Sequence, residues 1–252
     1  MESETQRALY TILPLNCRCC REALGAIART ARFLEILMTI CLSPLVSLTA
    51  VGVILAVLMP MSALHAQDRM PPIQPDAMTD AQRDAVAEHE RARGAPITGG
   101  PWVPLMRSPE VMRRSRAMGD YLRYDTALPP RLSEFVILLT ARMWTQQYEW
   151  YVHHDIAVEA GLSPAITRAI ADGRPPSDMA EDEALLYALF TELHETKAVS
   201  DDTYVRAVAR FGEAGVIDTV GIIGYYSLLA MVMNTARTPL PEGTEPPLSS
   251  LP

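Results

Sequence analysis

No cysteine follows Cys41: all four (Cys17, Cys19, Cys20 and Cys41) lie in the first 66 residues. Residues 67–252 therefore have no disulfide, no thiolate metal site and no thiol nucleophile. Cys17-Arg18-Cys19-Cys20 is half of a zinc motif at most, because nothing supplies the other half. No stretch alternates apolar and polar residues with period two, which argues against a half-buried strand, and no internal repeat is visible. Positive charge is also scarce: residues 67–252 carry 17 basic against 26 acidic side chains, which speaks against a nucleic-acid partner.

Charge of either sign is missing from Ile36 to Gln67, and within that span Leu45–Met59 is strongly apolar. Small residues around Ala63-Leu64-His65-Ala66 close the run. This pattern predicts a secretory signal peptide cut after Ala66, with an uncleaved N-terminal membrane anchor as the alternative. On either reading residues 67–252 are periplasmic or secreted, and the membrane is met only through residues 1–66.

What the rest contains is helix. Gln67–Asp76 is a Pro-rich, extended lead-in. Thr79-Asp80-Ala81-Gln82 has capping-box spacing and opens a helix that Gly94 stops. Gly99-Gly100-Pro101 is a loop. Ser108-Pro109-Glu110 opens a helix to about Tyr124, and Pro129-Pro130 opens another to about Thr145. Helices follow over Gln147–Ala160, from Ser163-Pro164 to about Asp172, over Glu181–Thr196, from Ser200 to Phe211, and over Ala214–Ala236. The last is nearly all apolar and reads as a central or subunit-interface helix. The expectation is an all-α fold, a compact helical domain of seven or eight helices. A leader (1–66), a one-helix extension (67–104), a main domain (105–237) and an extended or disordered Pro-rich tail (238–252) make up the chain.

Chemistry concentrates in two of these helices. Glu149 and His153 are one turn apart and share a helix face, a spacing that suits an acid/base pair. Glu134 falls in the apolar run around Phe135-Val136-Ile137-Leu138-Leu139, where a carboxylate needs a partner. Arg142, Tyr148, Trp150 and Tyr151 crowd the same stretch. The plain alternative is an ordinary surface Glu/His pair. Arg131 equally reads as solvated, Arg142 as a buried partner of Glu134 or Glu149, and the aromatic residues as pocket wall or core. His154 points about 100° away from His153 on a helix, and His194 with Glu195 reads as a solvated helix end.

The order Leu128-Pro129-Pro130-Arg131-Leu132-Ser133-Glu134, Arg142, Tyr148-Glu149-Trp150-Tyr151-Val152-His153, Ala157 and Gly161-Leu162-Ser163 resembles the core of the carboxymuconolactone decarboxylase and alkylhydroperoxidase-D superfamily, over about residues 105–237. The resemblance implies catalytic roles for Glu134, Glu149 and His153. The peroxidase branch has a Cys-x-x-Cys pair where this chain has Gln146 and Glu149, so thiol peroxidase activity is not expected. The decarboxylase branch has a Glu four residues before its histidine, as here.

That branch implies a cofactor-free carboxy-lyase acting on a small lactone or aromatic-derived carboxylic acid, in a homotrimer or hexamer. His153 would supply the proton, Glu149 would orient the ring, and Glu134 would hold a second proton or position water. Arg131 or Arg142 would grip the substrate carboxylate, with Tyr148 and Trp150 beside it. Two other readings stand. A divalent metal could use Glu134, Glu149 and His153, or the fold could serve a non-catalytic ligand-binding protein.

Overall fold

The computed structural model describes residues 68–250. The expected leader lies outside them, as do Gln67 and the last two residues of the tail. Among the described residues there are eight α-helices and no strand, so the all-α expectation holds. The helices are α1 (Asp80–Arg93), α2 (Trp102–Leu105), α3 (Pro109–Tyr124), α4 (Pro130–Met143), α5 (Gln147–Glu159), α6 (Pro164–Ala171), α7 (Glu181–Glu195) and α8 (Asp201–Ala236).

Helix α4 is the axis of the fold. Every residue from Leu132 to Arg142 is buried, because α3, α5, α6, α7 and α8 all pack on it. Phe135, Ile137 and Leu138 are fully enclosed, each worth about 1.5–3 kcal/mol by removal from water. A helix buried on all sides must settle its polar groups internally. Thr140 Oγ1 donates to the Val136 carbonyl (2.9 Å), Ser133 Oγ to the Pro130 carbonyl (3.1 Å), and the Glu134 carboxylate meets a histidine of α5.

The helix ends obey local signals. At α1 the Thr79 hydroxyl accepts from Gln82 N–H while the Gln82 side chain accepts from Thr79 N–H, and Gly94 closes the helix in the left-handed region (φ 70°). Ser163 and Ser200 cap α6 and α8 in the same manner. Between α4 and α5 the chain turns at Thr145 (φ 46°), and the buried Gln146 caps α5, its Oε1 accepting from Tyr148 N–H (2.7 Å) and Glu149 N–H (3.2 Å). Gln146 Nε2 is spent on Asn234 of α8 (2.9 Å), which ties the start of α5 to the end of the long helix.

The short α2 follows the expected Gly99-Gly100-Pro101 loop. The two helices expected over 200–236 are both present and abut as α8, with Gly212 (φ 72°, ψ 169°) as the break between them. Although α8 is long and apolar enough to cross a membrane, its inner face is core: Ile222, Leu229 and Met233 are buried. Helix α1 of the N-terminal extension packs on α3 and buries Ala85 and His89.

The Pro-rich tail holds no helix over its described residues and is docked on the rest of the domain. Leu248 enters the core at 3% exposure, and its backbone exchanges two hydrogen bonds with the Gln147 side chain (2.7 and 2.9 Å). Arg142 Nη1 donates to the Ser249 carbonyl (2.7 Å). Leu248→Ala is expected to lower the unfolding free energy by about 2 kcal/mol, the low end for a core leucine because the end of the chain can partly collapse into the gap. Urea denaturation of the two proteins measures this directly; an unchanged midpoint would show that the tail adds no stability.

Candidate functional site

Helices α5 and α8 face each other across a cavity of about 200 Å³. From α5 come Tyr148, Glu149, Val152 and His153, which follow one another at helical spacing. From α8 come Tyr225, Tyr226, Leu229 and Met233. Gly119 and Arg123 of α3 form a third wall, and Arg93 with the Gly99–Trp102 segment closes the fourth. Two glycine positions make the space. A Cβ on Gly119 would lie 2.1 Å from the Tyr225 hydroxyl, and one on Gly100, which is also left-handed (φ 66°), would lie 2.8 Å from the Tyr148 ring.

His153 is fixed from behind. Its Nδ1 lies 2.6 Å from Glu134 Oε2, with both side chains buried, and the Tyr226 ring meets it edge-on at 5.0 Å between centroids. A carboxylate on Nδ1 holds the proton on that nitrogen and leaves Nε2, which has no hydrogen-bond partner among the described residues, as the working atom.

Glu149 is the anomaly of the site. It is 3% exposed, and neither carboxylate oxygen has a hydrogen-bond partner. Burial pushes its pKa well above the usual carboxylate range and favours the neutral, protonated carboxyl. The positive end of α5 works in the opposite direction, since Glu149 sits in the first turn. That effect is worth at most about 2 kcal/mol, whereas an unpaired buried carboxylate costs several. Burial wins. The phenols of Tyr148, Tyr225 and Tyr226 are likewise raised by burial and remain donors.

Of the residues singled out in the sequence, Glu149 and His153 line the cavity and Glu134 stands behind His153. Glu149 does not orient His153; Glu134 does, reaching it from α4 across the helix pair. Arg131 lies off the cavity, bound to Asp182 (2.9 Å) and Glu183, so it joins α4 to α7 and has no hand free for a ligand. Arg142 pairs with neither glutamate and holds the tail. Trp150 is core, its ring stacked on His154 at 5.9 Å. Tyr148 does line the cavity. His154 faces away, toward Asp155 (2.8 Å) and Thr167 (3.3 Å), and His194 is half-buried against Phe190 rather than solvated. Glu134, Glu149 and His153 form no metal-ligand cluster: among the described residues no three His, Cys, Asp or Glu side chains are placed to hold an ion.

Among the charged and phenolic residues lining the cavity, Arg93, Arg123, Tyr225 and Tyr226 escaped the sequence reading. The tyrosines are concealed in an apolar helix that reads as core. The arginines stand on amphipathic helices where a charged residue predicts solvent. A faint signal was Gly119, a glycine inside a good helix four residues before Arg123.

The all-α fold that carries this site has a solved counterpart. A crystal structure of an uncharacterized peroxidase-related protein from Ralstonia eutropha JMP134, described as an alkylhydroperoxidase AhpD core, superimposes with a TM-score of 0.56 over 69% of this chain and 92% of that one. The chain has the AhpD-like fold. At 18% identity the likeness is one of fold. No family model matches the sequence, and no curated protein matches it. The AhpD-like frame accounts for the helical layout, while the site's chemistry belongs to this chain's own residues.

The state of Glu149 can be read from stability. Its folded pKa lies above its unfolded value near 4.5, so folding takes up a proton between the two. Stability from this residue is complete below about pH 4.5 and declines as pH rises toward the folded pKa. Glu149→Gln should remove that decline. The variant's urea midpoint is expected to exceed that of the wild type at pH 8 and to approach it near pH 4.5; parallel pH profiles would show that Glu149 is ionised in the folded protein.

Proposed function

We propose that this protein is an exported, cofactor-free lyase that removes CO2 from a small lactone or aromatic-derived carboxylic acid and protonates the carbon left behind. The observation that carries the reading is Glu149: an unpartnered carboxyl group whose pKa burial raises well above the carboxylate range, on the wall of the cavity and one helical turn from a histidine that a second glutamate holds in place. Two carboxyl groups with opposed environments, one paired and the other alone, are the usual arrangement for separate positioning and acid roles.

The steps follow from those states. The substrate's carbon–carboxylate bond breaks, CO2 departs, and the bonding electron pair stays on the carbon as a carbanion delocalised into a dienolate. Neutral phenols of Tyr225 and Tyr226 supply hydrogen-bond donors to the developing oxyanion. Glu149 delivers its proton to the carbon and is left as a carboxylate in a site that disfavours charge. That cost drives its reprotonation from solvent through His153 Nε2, whose ring the Glu134 contact keeps in position. Glu134 is thus a positioning residue, and Glu149 and His153 handle the proton.

The cysteine-free domain offers no thiol for peroxidase chemistry, so the peroxidase-related name of the fold neighbour does not transfer. Export rests on the uncharged run from Ile36 to Gln67. A homo-oligomer is supported by Ile217, Val220 and Met231, which lie exposed along one face of α8.

The test is CO2 release by the full chain from a panel of lactone and aromatic carboxylic acids, run in D2O. A substrate should yield product with one deuterium at the former carboxyl position. On that substrate Glu149→Gln and His153→Ala should each lower kcat by about 100-fold or more. Release of CO2 from no acid in the panel, or full activity in both variants, would sink the lyase reading.

A further inference from the structure

We infer that the cavity is the inner half of a two-chamber site and that Tyr148 sets specificity at the divide: the reacting acid sits inside, and an uncharged apolar substituent passes the Tyr148 ring into an outer chamber. The inference rests on the function proposed above and names the substrate class, a carboxylic acid with an alkyl or aryl tail on the side away from the reacting group.

The outer chamber is the larger of the two. A cleft of about 400 Å³ lies between the lead-in to α1, residues 98–99 and the tail after α8. Tyr148 and Gly99 line both spaces, so the chambers meet at these residues. Small-molecule sites usually measure about 300–1,000 Å³. The inner cavity, at about 200 Å³, falls short of that range on its own, and the two chambers together lie within it. The divide is thin. The Tyr148 ring lies against the backbone of Gly99 and Gly100, where a Cβ on Gly99 would come 3.1 Å from the phenol oxygen. That hydroxyl has no hydrogen-bond partner among the described residues, so packing alone holds the ring and it can turn without losing a polar contact.

The lining determines what the outer chamber takes. Pro72, Val103, Pro239, Leu240 and Pro241 give it apolar walls, and its charged residues are Asp68 and Glu242, both acidic. An anionic substituent is repelled there. A cationic one gains little, because Asp68 already accepts from Met70 N–H (2.8 Å) and Glu242 is exposed to water, where an ion pair is weak. An uncharged apolar tail fits. The path of the chain builds this wall: the backbone leaves α8 at Arg237 in the left-handed region (φ 56°), and Thr238 N–H donates back to the carbonyl of Met233 (3.0 Å), an inner-cavity residue. Farther on, the tail is fixed by the Gln147 side chain, next to Tyr148 in α5. The docked tail is therefore a wall of the site.

Isothermal titration of the full chain with para-substituted benzoates tests this without turnover. The butyl compound is expected to bind about 10-fold tighter than benzoate or better, since each methylene removed from water counts about fourfold. Tails of the same length that end in a carboxylate or an ammonium group should lose that gain. Leu240→Trp, which fills the outer chamber, should bring para-butylbenzoate to within about twofold of benzoate, and benzoate binding shows that the variant is folded. Tyr148→Trp, which thickens the divide, should do the same, whereas Tyr148→Phe should keep the preference because the ring and not its hydroxyl separates the chambers. If Tyr148→Trp fails to fold, the other two variants decide. No gain from the butyl tail in the wild type, an equal gain from a charged tail, a gain that survives Leu240→Trp or one that is lost in Tyr148→Phe overturns the two-chamber site. A butyl preference without CO2 release from any acid would leave the chambers standing and reject the lyase reading; CO2 release without tail preference would do the reverse.

Discussion

The contact between Glu134 and His153 is the constraint on which the rest of this molecule hangs. Helix α4 is buried along almost its whole length, and a carboxylate in such a helix is tolerable only if something opposite can bind it. The partner arrives from α5, so the pair of helices that forms the centre of the fold is registered by a polar bond inside an apolar interface. Shift α5 by one residue and the bond is lost, Glu134 is stranded, and the imidazole leaves the cavity. Fold and site are thus specified by the same few atoms.

Against that pairing, the solitude of Glu149 gains meaning. The two glutamates face similar burial, yet one is given a partner and the other none, and burial without a partner is what raises the Glu149 pKa. Natural proteins rarely leave both oxygens of a buried carboxyl unsatisfied. Gln146, three residues earlier, shows the ordinary solution: its oxygen caps α5 and its nitrogen bonds α8, so both ends of the amide are engaged. The neutral acid and the capped helix start are neighbours on one turn, the first kept loose and the second fixed.

How much of this could be read in the residues depended on range. Helix boundaries at Thr79, Gly94, Ser163 and Gly161 were legible because caps are local: a side chain and a backbone N–H two or three positions away decide them. The face shared by Glu149 and His153 was legible for the same reason. Glu134 could be recognised as needing a partner, but which partner was a matter of how α4 crosses α5. Arg131 and Arg142 were misassigned because a cation near an acidic cluster in sequence need not be near it in space; one reaches Asp182 and the other the chain's end. Arg93 and Arg123 were overlooked on the same ground, since their meeting over Tyr124 is a product of how α1 lies on α3.

The lead-in to α1 touches the far end of the chain: Arg69 N–H donates to the Ala236 carbonyl at 2.8 Å, and the Arg69 guanidinium reaches Thr235 (3.2 Å). The first described residues therefore lie against the last turn of α8. Tension applied at Arg69 would pass to the C-terminal end of α8, the helix that carries Tyr225 and Tyr226, and so to one wall of the cavity.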